Sequence, residues 1–344
     1  MLYETIKDKR RRRPFPVAIV LGVFGVLVLL WWIPSLLSRT EPAPPPARRG
    51  RLLCLIPVAW PPTKNVASIR ETWGARCDKL LFGSTQADPS IDVVKIPGAK
   101  RVVTDYWNNV HHLWSYVHAQ HQDAFDWFLK ADEDSYAIVE NLHRLVSRLD
   151  PAKPWYLGHT VWSDRMPFNL GAGYVLSRGA LARLGPMLPS HPRWPGRAVT
   201  DCSATGTKNS DGKIARCLRK LGIWPRDTRD ANGGERFLPF DRRSHQFLAR
   251  RAGTKSWFWR DKPLTTGVGA HCCSEYPVLW HGLKASGGGH QKMRELDWLL
   301  YRAKVFGEEG VVPSVEPVED RFPEWRGTAP SLANPENGPQ RAPP

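Results

Sequence analysis

Apolar residues form short continuous runs that alternate with stretches of helical spacing over residues 51–306. The runs that predict buried strands occupy 52–59, 79–82, 93–96, 127–130, 155–158 and 171–176. The helical spacings predict helices at 104–121, 138–149 and 179–188, and further helices near 66–73 and 214–221. Strands that alternate with helices are typical of an α/β domain with a mostly parallel sheet, in which ligands bind at the carboxyl ends of strands.

One apolar run, at 17–37, is long enough to cross a membrane. It follows the basic stretch 7–13 and contains Trp31 and Trp32, where an interfacial aromatic belt is expected. A cleaved signal peptide is the alternative, but it needs a shorter apolar core and a cleavage site better than residues 38–40. We predict an uncleaved signal anchor, with residues 1–16 in the cytosol and the rest of the chain in a lumen or outside the cell.

Composition divides the remainder of the chain into three parts. Residues 38–50 form a Pro-rich stem, 51–306 a globular domain, and 307–344 a tail that is predicted to be disordered.

The chain of 344 residues carries a formal net charge of +16, which by itself suggests nucleic acid as a partner. Part of this charge belongs to the cytosolic anchor, and a luminal domain does not meet nucleic acid. We therefore expect no nucleic-acid partner.

Two carboxylates, Asp132 and Asp134, follow the predicted strand 127–130. Residues two apart at a strand exit can both turn toward one cleft, where they suit a hard divalent cation that diphosphate oxygens also hold. The alternative is a solvated turn with helix-capping acids, and the pattern alone does not separate the two interpretations.

Three further positions each allow a functional and a structural interpretation. The small residues at 171–173 let a ligand or a backbone approach closely, although tight strand packing explains them as well. Asp211 precedes a predicted helix, where an Asp is usually an N-cap but can also serve as a general base. Trp257 belongs to the aromatic cluster 257–259, which suits either the stacking of sugar rings or core packing.

The six cysteines allow three disulfides, which are expected in an oxidising lumen. A zinc site near His271 fits badly, because Cys272 and Cys273 are adjacent rather than two to four residues apart. In the simplest partition these two are bonded to each other or shared otherwise, and the remaining pairs are Cys54–Cys77 and Cys202–Cys217.

Several segments, in the same order along residues 50–305, resemble the core 1 β1,3-galactosyltransferase family within the wider Fringe-like β1,3-glycosyltransferase group. They are LLCLI with IRETWGARCDKLLF, DWFLKADEDSYAIVENL, GAGYVLSRGAL, the Trp cluster 257–259, and CCSEYPVLWH. The resemblance implies a GT-A-type, Rossmann-like domain with a mostly parallel central sheet, in a type II membrane protein whose catalytic domain faces the lumen of the Golgi or the ER–Golgi system. It also implies inverting, Mn²⁺-dependent transfer of galactose from UDP-galactose, in β1,3 linkage, to N-acetylgalactosamine on an O-glycosylated protein, and it allows a homodimer.

The resemblance also assigns roles to individual residues. Asp132 and Asp134 match the carboxylates that hold the metal and the nucleotide, and His281 matches the third metal ligand. The other matches are Asp211 as the base near the acceptor, Trp257 as an acceptor-stacking aromatic, and Lys100 or Arg101 as a contact to the diphosphate.

The chain departs from the family pattern at three positions. Glu133 replaces the usual middle Asp, Ser210 stands where the family has a Glu, and Gly282 stands where a Tyr helps to hold UDP. These departures keep open a Fringe-like transferase that uses UDP-N-acetylglucosamine or UDP-glucose on another acceptor. A non-catalytic, chaperone-like relative is the remaining alternative, and the intact Asp132, Asp134 and His281 favour an enzyme over it.

Overall fold

The computed structural model describes residues 50–99, 106–163, 166–188, 202, 210–240 and 272–302. All described residues belong to the second of the chain's two units, Arg49–Pro344. Within those residues no helix is long and apolar enough to cross a bilayer. The predicted anchor at 17–37 and the predicted tail at 307–344 lie outside the described residues, as do Lys100, Arg101 and Trp257.

The described strands form a six-stranded sheet in the order β3-β2-β1-β4-β7-β6 and a small sheet in the order β5-β9-β8. Their bounds are β1 Leu52–Pro57, β2 Lys79–Ser84, β3 Val93–Lys95, β4 Trp127–Ala131, β5 Tyr136–Ala137, β6 Tyr156–Ser163, β7 Met166–Ser177, β8 Phe237–Leu238 and β9 Leu279–Trp280.

The large sheet is mostly parallel, as predicted. Strands β3, β2, β1 and β4 are parallel neighbours. Strand β7 runs antiparallel to β4 and to β6, so β7 alone opposes the direction of the other five. The predicted strands 155–158 and 171–176 were too short, because β6 and β7 extend toward each other and pair as a long hairpin.

Six α-helices are described, and they cover both faces of the sheet. They are α1 Lys64–Glu71, α2 Tyr106–His121, α3 Val139–Val146, α4 Arg178–Leu184, α5 Ser210–Lys220 and α6 Gly289–Asp297. Every residue of β1 is buried, and its side chains alternate between the faces. Leu52, Cys54 and Ile56 join the core beneath α1 and α3. Leu53 and Leu55 join the core beneath α2, α4 and α5.

Three disulfides join the six cysteines. Cys54–Cys77 connects β1 with the segment that follows the 3₁₀ turn Trp73–Arg76, and Cys202–Cys217 connects Cys202 with α5. Cys272 is bonded to the adjacent Cys273, which settles the alternative that the sequence left open.

His111 on α2 is fully buried beside Trp107 and His112. Burial and the neighbouring His112 lower its pKa from 6.5 to about 4, against an opposing effect of the Cys202 backbone. Between these two pH values the unfolded chain binds a proton at this position and the folded chain does not, so stability falls as the pH drops from 6.5 to 4. We expect the decrease in the free energy of unfolding between pH 6.5 and pH 4 to be about 3 kcal/mol smaller in His111→Gln than in the unmodified chain. Denaturant unfolding of both proteins across this range tests the prediction, and parallel pH profiles would contradict it.

Candidate metal centre

Asp132 and Asp134 follow the buried strand β4 and lie at its carboxyl end, where a ligand site was predicted. A tight turn follows the strand, in which the Ser135 N–H donates to the Asp132 carbonyl over 3.0 Å. The Trp73 indole N–H donates to the Ser135 carbonyl over 3.1 Å and fixes this turn to the body of the domain. Both carboxylates therefore leave a rigid strand through an anchored turn.

The small sheet brings His281 to the same place. Strand β5 begins directly after the Asp132–Asp134 turn and pairs with β9. The His281 N–H donates to the Leu238 carbonyl over 3.0 Å, and the Leu283 N–H donates to the Asp134 carbonyl over 2.9 Å. His281, which immediately follows β9, is thus fixed beside the two carboxylates.

The three predicted ligands converge in the folded chain. The His281 Nε2 atom lies 3.0 Å from Asp134 Oδ1 and 3.6 Å from Asp132 Oδ2. One ligand atom from each residue can be chosen so that all three lie within 4.8 Å of one another. His281 Nδ1 lies 3.0 Å from the Pro239 carbonyl, which can only accept a hydrogen bond, so Nδ1 carries the hydrogen. Nε2 of the neutral ring then offers its lone pair toward the carboxylates, which is the tautomer that a metal ligand requires.

The charges at this site are strongly coupled. Burial lowers the pKa of His281, but Asp132 and Asp134 outweigh this effect and raise the pKa to about 10. Burial alone would raise the pKa of Asp132, yet Lys130 and His281 hold it well below its ordinary value. Asp132 is therefore ionised at neutral pH, and a divalent cation would compete with a proton for Nε2 of His281.

Lys130 and Tyr106 were not predicted as site residues, and both bind Oδ1 of Asp132. Lys130 is fully buried, and its Nζ lies 2.6 Å from Oδ1 of Asp132. The Tyr106 hydroxyl donates a short hydrogen bond to the same oxygen. With Oδ1 occupied by these two donors, Oδ2 is the oxygen of Asp132 that faces His281. A charged residue within the apolar strand WFLKA was the available signal, because a buried lysine needs an ionic partner.

We expect Lys130→Met to lower the free energy of unfolding by about 3 kcal/mol, because it deprives a mostly buried carboxylate of its nearest charge partner. Tyr106→Phe is the matched control, since it removes a hydrogen bond to the same oxygen and should cost about 1 kcal/mol. Denaturant unfolding of both variants measures the difference. Equal losses would show that the Lys130 charge contributes nothing beyond a hydrogen bond.

Asp211 lies in the first turn of α5 and accepts a hydrogen bond from the Ser210 hydroxyl over 3.0 Å. Burial raises the pKa of the Tyr106 and Tyr174 hydroxyls, and the charges of both Asp132 and Asp211 raise it further. The charges of Asp132 and Asp211 therefore both act on these two buried hydroxyls.

The glycine-rich stretch of β7 favours the packing interpretation at Gly173. This residue pairs with Ala131 at the end of β4. A Cβ atom here would lie 2.4 Å from Cδ1 of Leu279, a buried residue of β9. The missing side chain lets β9, and His281 after it, approach the end of β4.

The structure gives each departure from the family pattern a local explanation. The Glu133 carboxylate accepts a hydrogen bond from the Thr63 hydroxyl over 3.3 Å and is not part of the Asp132, Asp134 and His281 cluster. Ser210 donates to Asp211. Gly282 has a φ of 86°, in the left-handed region that favours glycine.

Comparison with known proteins shows that the chain is similar to glycosyltransferases. A family model described as Fringe-like matches residues 63–228, which include Asp132, Asp134 and Asp211. Glycoprotein-N-acetylgalactosamine 3-beta-galactosyltransferase 1 of Xenopus laevis is 26% identical over 264 residues, which are 76% of this chain and 69% of that protein. Chondroitin sulfate synthase 3 of Mus musculus is 24% identical over 149 residues, 40% of this chain but only 16% of that protein.

Solved structures give weaker similarities. A mannosyltransferase from Pyrobaculum calidifontis, in complex with GDP-Man and Mn²⁺, has 14% identity and a TM-score of 0.33, with 61% of this chain and 64% of that chain covered. Mouse xyloside xylosyltransferase 1 has 12% identity and a TM-score of 0.34, with 67% and 96% covered.

The sheet topology, the carboxylate turn after β4 and the Fringe-like match define a glycosyltransferase with a GT-A-like fold. Within that class, the Fringe-like match and the Xenopus laevis relative support a core 1 β1,3-galactosyltransferase-like protein, and the chain is a galactosyltransferase-like enzyme. The predicted GT-A-like fold with a mostly parallel central sheet is thereby confirmed, and the resemblance to this family is supported.

Proposed function

We propose that the chain is an inverting, Mn²⁺-dependent transferase that moves galactose from UDP-galactose, in β1,3 linkage, to O-linked N-acetylgalactosamine on a glycoprotein. The observation that carries the proposal is the convergence of Asp132, Asp134 and His281 at the carboxyl end of β4. The Xenopus laevis relative, whose name states this donor group and this acceptor sugar, supports the choice of substrates.

The ligand set fits a divalent cation of the Mn²⁺ type, because it combines two carboxylates with one imidazole nitrogen. Oδ2 of Asp132, a carboxylate oxygen of Asp134 and Nε2 of His281 would hold it. When bound, such a cation stabilises the negative charge that develops on a diphosphate leaving group. Lys130 and Tyr106 keep Asp132 ionised and in one orientation.

In this proposal the oxygen of the acceptor hydroxyl attacks the anomeric carbon, and Asp211 takes the proton of that hydroxyl. One base is enough for inversion, since the nucleotide diphosphate leaves without an added proton; a glycosidase needs a second carboxyl group as an acid. From the sequence alone we add Trp257 as the surface on which the acceptor sugar stacks, and Lys100 or Arg101 as a contact to the diphosphate.

The cellular setting is also a proposal. The basic stretch and apolar run at the N-terminus support a single-pass type II protein of the Golgi or ER–Golgi membrane, with its catalytic domain in the lumen. Protease protection of the catalytic domain in intact microsomes would support this topology, and digestion would contradict it. A homodimer is compatible with this arrangement, and sedimentation of the purified chain tests it.

A UDP-release assay with the purified full chain tests the function. UDP-galactose, UDP-N-acetylglucosamine and UDP-glucose are each offered with an N-acetylgalactosaminyl peptide, in the presence of Mn²⁺ or a chelator. We expect metal-dependent release from UDP-galactose only, and only with the acceptor. Release from another donor would move the substrate to the second candidate, a Fringe-like transferase, which the replacement of the family's Tyr by Gly282 keeps open. No release from folded protein with any donor would contradict the proposed activity.

A further inference from the structure

We propose that Asn65 is a positioning residue that holds the two halves of the metal centre together. The inference rests on the proposed function, because it concerns the same site. Asn65 lies in the first turn of α1, and its side chain is buried. It is neither a metal ligand nor close in sequence to one.

The metal centre is built from two segments that are far apart along the chain. One is the turn after β4, which carries Asp132 and Asp134, and the other follows β9 and carries His281. Their spacing decides whether Nε2 of His281 reaches both carboxylates. Pairing of β5 with β9 and the hydrogen bond from the Leu283 N–H to the Asp134 carbonyl give backbone connections between them.

The Asn65 amide adds a side-chain connection. Its Nδ2 donates to the Glu133 carbonyl over 3.1 Å and to the Leu283 carbonyl over 2.9 Å. Glu133 lies between the two carboxylate ligands, and Leu283 lies two residues after His281. Both acceptors are backbone carbonyls, which cannot donate, so the amide orientation is fixed with its nitrogen toward them. One amide group thus uses both of its N–H bonds to join the two ligand-bearing segments.

Two features make this amide more than a packing residue. Its Oδ1 atom is buried and has no hydrogen-bond partner among the described residues, so the side chain is retained at a desolvation cost. Thr63, the N-cap of α1, accepts a hydrogen bond from the Asn65 N–H and donates one to the Glu133 carboxylate. The first turn of α1 is therefore anchored to the carboxylate turn at the point where Asn65 reaches across to Leu283.

The test is an electron paramagnetic resonance titration of Mn²⁺ into the full chain and into Asn65→Ala. Outer-shell partners typically change metal affinity by about 10–100-fold, so we expect Asn65→Ala to weaken Mn²⁺ binding about tenfold. Saturating Mn²⁺ should restore most of the transfer rate, because the ligands themselves remain. Asn65→Ser, whose single hydroxyl proton can satisfy one carbonyl at a time, should give an intermediate affinity and serves also if the Ala variant does not fold.

Asn141→Ala is the matched control. Asn141 is also buried, its Nδ2 donates to the Pro277 carbonyl over 2.8 Å, and its Oδ1 has no partner among the described residues. It bonds one loop and does not bridge the two ligand segments. We expect a similar loss of thermal stability but little change in Mn²⁺ affinity.

The outcomes separate this inference from the proposed function. If the wild-type chain binds Mn²⁺ and both Asn65 variants bind it equally well, the role of Asn65 is wrong while the metal centre stands. Equal weakening in Asn65→Ala and Asn141→Ala would reduce Asn65 to a stability residue. A folded wild-type chain that binds no Mn²⁺ would overturn the metal centre, and this inference with it.

Discussion

Replacement of His281 by Ala, or of Asp134 by Asn, is expected to reduce Mn²⁺ affinity and sugar transfer together, by on the order of 10³-fold. This exceeds the about 10–100-fold typical of outer-shell partners, because His281→Ala removes a ligand atom and Asp134→Asn removes the negative charge of a ligand. The two residues supply the pair of ligand atoms that lie 3.0 Å apart. Calorimetric titration of Mn²⁺, together with the UDP-release assay, measures both losses.

Glu133→Gln is the matched control for these variants. The Glu133 carboxylate lies between the two ligands in sequence but faces Thr63. We expect this variant to retain Mn²⁺ binding and transfer close to those of the unmodified chain. If Glu133→Gln lost as much affinity as Asp134→Asn, the middle carboxylate would belong to the metal site and the ligand assignment would be wrong.

The second large effect concerns the proposed base. Asp211→Asn is expected to lower the transfer rate by about 10²–10⁴-fold, the range that positioned general bases supply. The amide keeps the shape of the side chain but cannot accept the acceptor's proton. Because Asp211 is outside the metal cluster, Mn²⁺-dependent UDP binding should be unchanged. Single-turnover kinetics at saturating donor and acceptor separate the chemical step from substrate binding.

Two results would contradict this assignment. Most of the rate surviving in Asp211→Asn would mean that another group takes the proton. A parallel loss of UDP binding would show that Asp211 supports the donor site. Ser210→Ala, which removes only the hydroxyl that donates to Asp211, should retain far more activity than Asp211→Asn.

The sequence predicted the part of the fold that apolar patterns specify locally. Strands β1 and β4 are buried throughout and β2 is buried from Leu81 onward, and such apolar runs are typical of a parallel sheet that is covered on both faces. The antiparallel direction of β7 and its long pairing with β6 were not predictable, since they depend on a partner strand rather than on local pattern. The small sheet also escaped prediction, because two-residue strands such as β5, β8 and β9 carry no periodic signal.

Local sequence pattern likewise predicted only part of the candidate site. Asp132 and Asp134 were found from their position after a strand, whereas His281 was assigned through the family resemblance alone. Its proximity depends on strand pairings between distant segments, which no local pattern shows. Lys130 and Asn65 were missed because a buried polar side chain shows its purpose only through its partners.

The most direct test of a metal-dependent nucleotide site is a calorimetric titration of UDP into the purified full chain, with Mn²⁺ and with a chelator. We predict that UDP binds in the presence of Mn²⁺, that the chelator removes most of this affinity, and that His281→Ala behaves with Mn²⁺ as the unmodified chain does with the chelator. UDP binding that is unaffected by the chelator, or no UDP binding by folded protein with Mn²⁺, would contradict a nucleotide site built on Asp132, Asp134 and His281.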